Sequence, residues 1–131
     1  MMRPEKDDYY LSIAAGVAAR STCLRRQYGA VIVKSDEVIS TGYNGAPRGE
    51  VNCCDLGSCR REGMPHNAGS YTDCRSVHAE MNAIISASRR DMLGSTMYLA
   101  GFENGERIDA RPCPICQRLI KNAGIARVVT E

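Results

Sequence analysis

The chain has 131 residues, of which 44% are apolar and 24% are charged, and its formal net charge is +2. This length suits one domain with a sizeable core, so we expect a single domain over residues 1–131. The low charge and the lack of a long basic run disfavour a dedicated nucleic-acid binder, whose affinity comes from clustered Lys and Arg.

The N-terminal stretch "MMRPEKDDYY" has acidic residues where a signal peptide has an apolar core. No apolar run approaches the roughly 18 residues that a membrane span needs. We therefore expect a cytoplasmic protein without a membrane partner. In a reducing compartment, the seven cysteines favour metal binding or catalysis over a disulfide framework.

The first half of the chain predicts a helix, two strands and a long loop. Residues 5–22 have small and apolar side chains at helical spacing. The β-branched runs 31–33 and 38–39 predict two strands around a polar turn. From about residue 45 to residue 75 the periodic pattern ends in a long loop that carries several cysteines. Such loops are uncommon in compact domains, and the cysteines suggest that this one is pinned.

The second half alternates helices and strands. "VHAEMNAIISASRR" predicts a helix, "STMYLAGF" a strand, and "ENGERIDAR" a polar connection with a turn. Residues 113–123 predict another helix, closed by Gly124 as a C-cap, and "IARVVT" predicts a final strand. This alternation predicts an α/β domain with helices packed on a sheet.

Two helix starts carry metal-ligand residues. "CPIC" places Cys113 and Cys116 three positions apart, a spacing found in zinc sites and in redox dithiols. His78 opens "HAE" at the start of the other helix. If the two helix starts face each other, His78 and the two cysteines surround one zinc and leave its fourth position to water. An open position distinguishes a catalytic zinc from a structural one.

Glu80 follows His78 by two residues, near enough to reach a bound water without ligating the metal. A carboxylate there can take a proton from water and return it to a ring nitrogen and a leaving amine. The pattern His-x-Glu followed by Pro-Cys-x-x-Cys is the signature of zinc-dependent nucleobase deaminases. We therefore predict a catalytic zinc with Glu80 as the catalytic residue.

The segments "YGAVIV", "STGYNGAPRG", "VNCCD", "VHAEMNAI" and "PCPICQRLIKNAGI" resemble the cytidine and deoxycytidylate deaminase superfamily, and more narrowly its deoxycytidylate (dCMP) deaminases. The resemblance implies a three-layer α/β/α fold with a mixed five-stranded sheet, in a homo-oligomer expected to be a hexamer. It also implies hydrolysis of dCMP to dUMP and ammonia, which supplies dUMP for dTTP synthesis.

Several residues are candidates for binding the nucleotide. The Ala79 N–H is a plausible donor to the base carbonyl, and Arg25 and Arg26 are candidates for the 5′-phosphate. The resemblance assigns a nucleotide contact to Asn44. It also implies regulation by dCTP and dTTP, with Mg²⁺ accompanying the effector, at a second site near "GYNG", which here is Gly42, Tyr43, Asn44 and Gly45. Asn-Gly is also favoured in turns for purely conformational reasons.

Some relatives carry a second, structural zinc, and its cysteine ligands match Cys23 and Cys53. The other ligands of that site are not reproduced, since Ser76 stands where the glutamate would be. A metal cross-link would offset the ordering entropy of the long polar loop. Ordinary loop cysteines, or a disulfide, are the alternatives. The candidate replacement ligands are Cys59, His66 and Cys74.

Two other functions stay open at this point. One is deamination of another cytosine nucleotide, nucleoside or nucleobase; a single Phe and no Trp disfavour a groove that stacks the bases of nucleic acid. The other is a non-catalytic zinc module, which would have no use for Glu80.

Overall fold

The computed structural model describes residues 2–50, 52 and 76–130. The segment 53–75, which holds most of the predicted long loop, lies outside the described residues. The helices are α1 (Lys6–Ala18), α2 (Ala79–Ile85), α3 (Arg89–Met92) and α4 (Pro114–Ala123). The strands are β1 (Gln27–Lys34), β2 (Glu37–Tyr43), β3 (Thr96–Glu103), β4 (Glu106–Ile108) and β5 (Arg127–Val129).

The strands form one five-stranded mixed sheet, which confirms the predicted fold class. β1 pairs antiparallel with β2 on one side and with β3 on the other. β3 also pairs antiparallel with β4 near its end and parallel with β5 near its start. β4 and β5 therefore share the edge of β3 that faces away from β1.

Side chains that alternate along β1 and β3 create two apolar layers, as expected for strands. Val31, Val33 and Tyr98 pack against α1 on one face of the sheet. Ile32, Met97 and Leu99 pack on the other face with apolar residues of α2, α3 and α4. The result is the three-layer α/β/α arrangement that the resemblance implied.

Two glycines let helices lie directly on the strands. A Cβ on Gly29 would collide with backbone atoms of α1, at Ala14 and Ala18. A Cβ on Gly42 would lie 2.5 Å from the carbonyl oxygen of Ala79 and closer still to the amide nitrogen of Ala83, both in α2. Neighbouring Ser40 is buried and donates a hydrogen bond to the Ala83 carbonyl (2.7 Å). The first turns of α2 are thus held against β2.

Polar contacts fix the start of α1 on its own face of the sheet. Asp7 accepts hydrogen bonds from Tyr98 Oη (2.8 Å) and Arg127 Nη1 (3.1 Å). The bond to Arg127, and secondarily the one to Tyr98, lowers the pKa of the Asp7 carboxyl. Tyr10 donates to Asp36, and this bond raises the pKa of Tyr10 to about 12.

Three of the predicted elements differ in the structure. α1 ends at Ala18, short of the predicted end at residue 22, and Ser21 beyond it donates a hydrogen bond to Asn44. Residues 77–90 are not one helix: α2 ends at Ile85, and the Ser88 hydroxyl caps the new helix α3. The segment 103–111 was predicted only as a connection, yet it holds β4. None of the helices in the described part is long and apolar enough to cross a membrane.

Candidate active site

β2 positions the first candidate ligand. Just beyond the end of β2, Gly45 forms an isolated antiparallel bridge with Val77. The Gly45 amide donates to the Val77 carbonyl (3.1 Å), and the Val77 amide donates back (2.6 Å). His78 follows at once as the N-cap of α2, with extended backbone angles. The position of His78 is therefore set by the sheet as well as by its helix.

The start of α4 positions the two cysteines. Cys113 is the N-cap, and its sulfur accepts a hydrogen bond from the Cys116 amide (3.4 Å). Pro114 occupies the first turn, where a missing N–H costs nothing. Gly124 ends the helix with a φ of 83°, as the predicted C-cap requires.

The ligand atoms of His78, Cys113 and Cys116 lie within 4.8 Å of one another. His78 Nδ1 is 3.3 Å from Cys116 Sγ and 3.5 Å from Cys113 Sγ. Both cysteines are buried, and the histidine is half-buried. One imidazole nitrogen and two sulfurs match the ligand preference of zinc, and three protein ligands are typical of catalytic zinc. The donor set therefore fits the predicted metal.

Glu80 lies beside this cluster in the first turn of α2, with only 7% of its surface exposed. Burial raises the pKa of its carboxyl, whereas hydrogen bonds to its own backbone amide and to Cys116 lower it. Burial also raises the pKa of the Cys116 thiol, and the nearby Glu80 charge adds to that rise. A bound divalent cation would act in the opposite direction, because it stabilises thiolates.

Asn44 is buried, and its side chain joins two neighbouring segments of the chain. Its Oδ1 accepts from the Tyr28 amide (2.8 Å) and from Ser21 Oγ (2.6 Å). Its Nδ2 donates to the Arg26 carbonyl (2.9 Å), which among the described residues leaves one amide hydrogen for another partner. Ser21 was not singled out from the sequence, because it falls near the end of the predicted helix 5–22, where a serine has no distinctive signal.

The other predicted residues fall into three groups. Ala79 is fully buried at the start of α2. Arg26 forms an ion pair with Glu103 (2.7 Å), and Arg25 is partly buried next to it. Cys23 is a partly buried free thiol, so the structure places one candidate ligand of the second zinc. Its remaining candidates, Cys53, Cys59, His66 and Cys74, lie outside the described residues.

A cavity of about 450 Å³ borders Gly42, Tyr43 and Gly45, three of the four residues predicted to contact an effector. Asn44 points away from it toward Arg26 and Tyr28 and does not line it. The zinc-ligand cluster does not line it either, but α2 contributes residues to both sites.

The sheet is mixed and has helices on both faces, and a His-Cys-Cys donor set lies beside a buried glutamate. Together these features define the zinc-dependent deaminase class of hydrolases. The family model for the cytidine and deoxycytidylate deaminase zinc-binding region matches residues 4–131. The chain belongs to this family.

Curated and solved relatives agree with this membership. The chain is 40% identical to the deoxycytidylate deaminase of Mycobacterium phage D29, over 98% of this chain and 96% of that protein. It is 28% identical to the dCMP deaminase of cyanophage S-TIM5, whose apo crystal structure superposes with a TM-score of 0.72 over 99% of this chain and 85% of that one. The same cyanophage enzyme solved with dCMP and dUMP gives a TM-score of 0.69, over 99% of this chain and 83% of that one.

Proposed function

We propose that this protein hydrolyses dCMP to dUMP and ammonia. The observation that carries the proposal is the convergence of His78, Cys113 and Cys116 within 4.8 Å, with Glu80 buried beside them. A structural zinc site would have no use for that glutamate. The choice of dCMP is supported by the relatives named deoxycytidylate deaminase and by the cyanophage structure with dCMP and dUMP.

His78, Cys113 and Cys116 would hold the zinc, which when bound supplies a water with a pKa near ~7. Glu80 is placed to take a proton from the attacking water and deliver it to N3 of the cytosine ring. It then moves the second proton of that water to the C4 amine, which leaves as ammonia. The ring keeps the first proton at N3 and the water oxygen at C4, as in uracil.

The substrate contacts follow from the residues around this centre. The Ala79 amide donates to the base carbonyl, in line with its place beside Glu80. The free amide hydrogen of Asn44 donates to the nucleotide, and its other bonds hold it in one orientation. Arg25 and Arg26 are the candidates for the 5′-phosphate, and Arg26 also pairs with Glu103.

The proposal extends to regulation and assembly. dCTP and dTTP, accompanied by Mg²⁺, act through the segment Gly42–Gly45, where a cavity large enough for a small ligand supports an effector site. A second zinc is held by Cys23 together with ligands from the segment 53–75. The protein works as a homo-oligomer, a hexamer, in the cytoplasm, where its dUMP feeds dTTP synthesis.

The test compares dCMP, dCTP, deoxycytidine and CMP by the loss of cytosine absorbance, with zinc content measured on each sample. Wild type should turn over dCMP fastest. Glu80→Gln keeps the size of the side chain and should retain zinc while losing at least about 100-fold in kcat. A preference for another of the four substrates would replace dCMP in the proposal. No turnover of any of the four by the zinc-loaded wild type would refute the dCMP proposal and leave a nucleobase substrate or a non-catalytic zinc module.

A further inference from the structure

Ser21 lies shortly after α1 and joins that segment of the chain to the end of β2. Its hydroxyl oxygen is 2.6 Å from Asn44 Oδ1 and 2.8 Å from the carbonyl oxygen of the same residue. The Cys23 amide donates to the Ser21 hydroxyl oxygen (3.2 Å), so the hydroxyl proton points away from Cys23 and toward Asn44. One hydroxyl therefore holds both the side chain and the backbone of Asn44.

The backbone beside Asn44 determines which way its amide group faces. Asn44 Oδ1 accepts from the Tyr28 amide, and Asn44 Nδ2 donates to the Arg26 carbonyl. Turning the amide round would bring two donors together at Tyr28 and two acceptors together at Arg26. Ser21 adds a restraint from a different segment. Because its hydroxyl spans Oδ1 and the carbonyl oxygen of one residue, it restricts the side-chain torsion angles between those two atoms.

The position of Asn44 is closely linked to the candidate zinc centre. The next residue, Gly45, forms the isolated bridge with Val77, and Val77 precedes the ligand His78. Asn44 is only 6% exposed, so it can offer its remaining amide hydrogen in few directions. A binding group that is held in place before the ligand arrives loses little entropy on binding, whereas a small displacement weakens its contact.

We infer that Ser21 is a positioning residue for the substrate: its hydroxyl holds Asn44 so that the amide hydrogen not used by the described residues meets the nucleotide. This role rests on the proposed function, because Ser21 acts through the proposed contact of Asn44. The bond from Cys23 accounts for a local turn after α1, but the two bonds to Asn44 go beyond that turn. A serine with a purely structural role would affect stability without acting on the substrate through Asn44.

The test is a double-mutant cycle for dCMP deamination by the zinc-loaded full chain, with zinc content measured on each variant. Ser21→Ala should lower kcat/KM about fivefold, mainly by raising KM, as expected when a binding contact is weakened. Ser21→Thr keeps the hydroxyl and should stay within about twofold of wild type. Asn44→Ala should lower kcat/KM by at least about tenfold. Adding Ser21→Ala to Asn44→Ala should cause no further loss, because the hydroxyl then has no side chain to position.

Ser95→Ala is the matched control. Ser95 is buried, and its hydroxyl donates to the Met92 carbonyl (2.7 Å), so its removal also deletes one hydroxyl hydrogen bond. Ser95 precedes Thr96, which pairs with Val33 at the end of β1 that lies away from Asn44. Ser95→Ala should therefore lower the melting temperature at least as much as Ser21→Ala does, while kcat/KM for dCMP stays at the wild-type value.

Three results would overturn the role of Ser21. Ser21→Ala could deaminate dCMP as wild type does, or it could cause the same fold-loss in the Asn44→Ala background as in wild type. An equal loss of kcat/KM in Ser95→Ala would show that general destabilisation explains both variants.

A second measurement applies if Asn44→Ala does not fold. The hydrogens of the Asn44 side-chain amide are then followed by NMR in wild type, Ser21→Ala and Ser95→Ala. Their exchange with solvent should be faster in Ser21→Ala than in the other two proteins, and equal exchange in all three would overturn the inference.

Failure of the proposed function would look different. In that case zinc-loaded wild type does not deaminate dCMP at all. Failure of the inference about Ser21 leaves wild-type turnover of dCMP intact and the turnover by Ser21→Ala equal to it.

Discussion

Replacing Gly42 by alanine should test whether close packing of α2 on β2 holds the site together. The added methyl would lie 2.5 Å from the Ala79 carbonyl oxygen, where an ordinary contact is about 3.5 Å. The obstacle is backbone, which cannot rotate away as a side chain can, so α2 must shift by about 1 Å. Overpacking of this kind costs about 1–3 kcal/mol. A displacement of about 1 Å can also reduce catalysis about 100-fold.

Two other glycines give matched controls for the same substitution. Gly29→Ala meets the backbone of α1 on the opposite face of the sheet, so it should destabilise the protein without lowering kcat of the folded fraction. Gly16→Ala adds a methyl to an exposed position of α1 with nothing within 4 Å, so it should raise stability by up to about 1 kcal/mol. The assays are chemical denaturation, zinc content and dCMP deamination well below the melting temperature.

Two results would refute this reasoning. If Gly42→Ala unfolds at the same denaturant concentration as wild type, the contact is softer than the backbone geometry indicates. If Gly29→Ala lowers kcat as much as Gly42→Ala, the loss reflects general destabilisation and not a displacement of α2.

Three further outcomes are expected. Folding lowers the pKa of Asp7, so this carboxylate stabilises the protein above the ordinary carboxyl pKa of about 4, and that stabilisation is lost at lower pH. The free energy of unfolding of wild type should therefore fall more steeply than that of Asp7→Asn between about pH 5 and pH 3. Ser40→Ala should cost about 1 kcal/mol in urea denaturation, and a neutral result would exclude the bond to Ala83 as a stabilising contact. Chelation should lower the melting temperature of zinc-loaded wild type far more than that of Cys113→Ser.

The sequence predicted the zinc-ligand cluster of His78, Cys113 and Cys116 better than the residues around it, because the pattern of ligand residues is chemically specific. A histidine and two cysteines at helix starts, with a glutamate two positions beyond the histidine, allow few other uses. The β-branched runs likewise predicted β1 and β2. The glycine after α4 predicted the end of that helix. Local chemistry was sufficient for each of these predictions.

The missed features depend on contacts between distant segments or on local signals that were passed over. β4 was missed although Asn104-Gly105, both with positive φ, is a common hairpin turn. The break after Ile85 was missed because Ser88 can continue a helix or cap one. The lining of the cavity beyond Gly42, Tyr43 and Gly45 could not be predicted, since it brings together segments near α1, β2 and α2 that meet only in the folded chain.

The order of the strands has a consequence for synthesis of the chain. Val33 in β1 pairs with Thr96 in β3, which lies 63 residues further along the chain. The ribosome therefore synthesises β1 well before its partner strand β3. At about 5–20 residues per second, the apolar strand "AVIV" has one open edge for roughly 3–13 seconds. An apolar strand with an unpaired edge can form backbone hydrogen bonds with a strand of another chain. Overproduced protein should therefore aggregate through β1 during translation, and slower accumulation at low temperature should raise the yield of native enzyme.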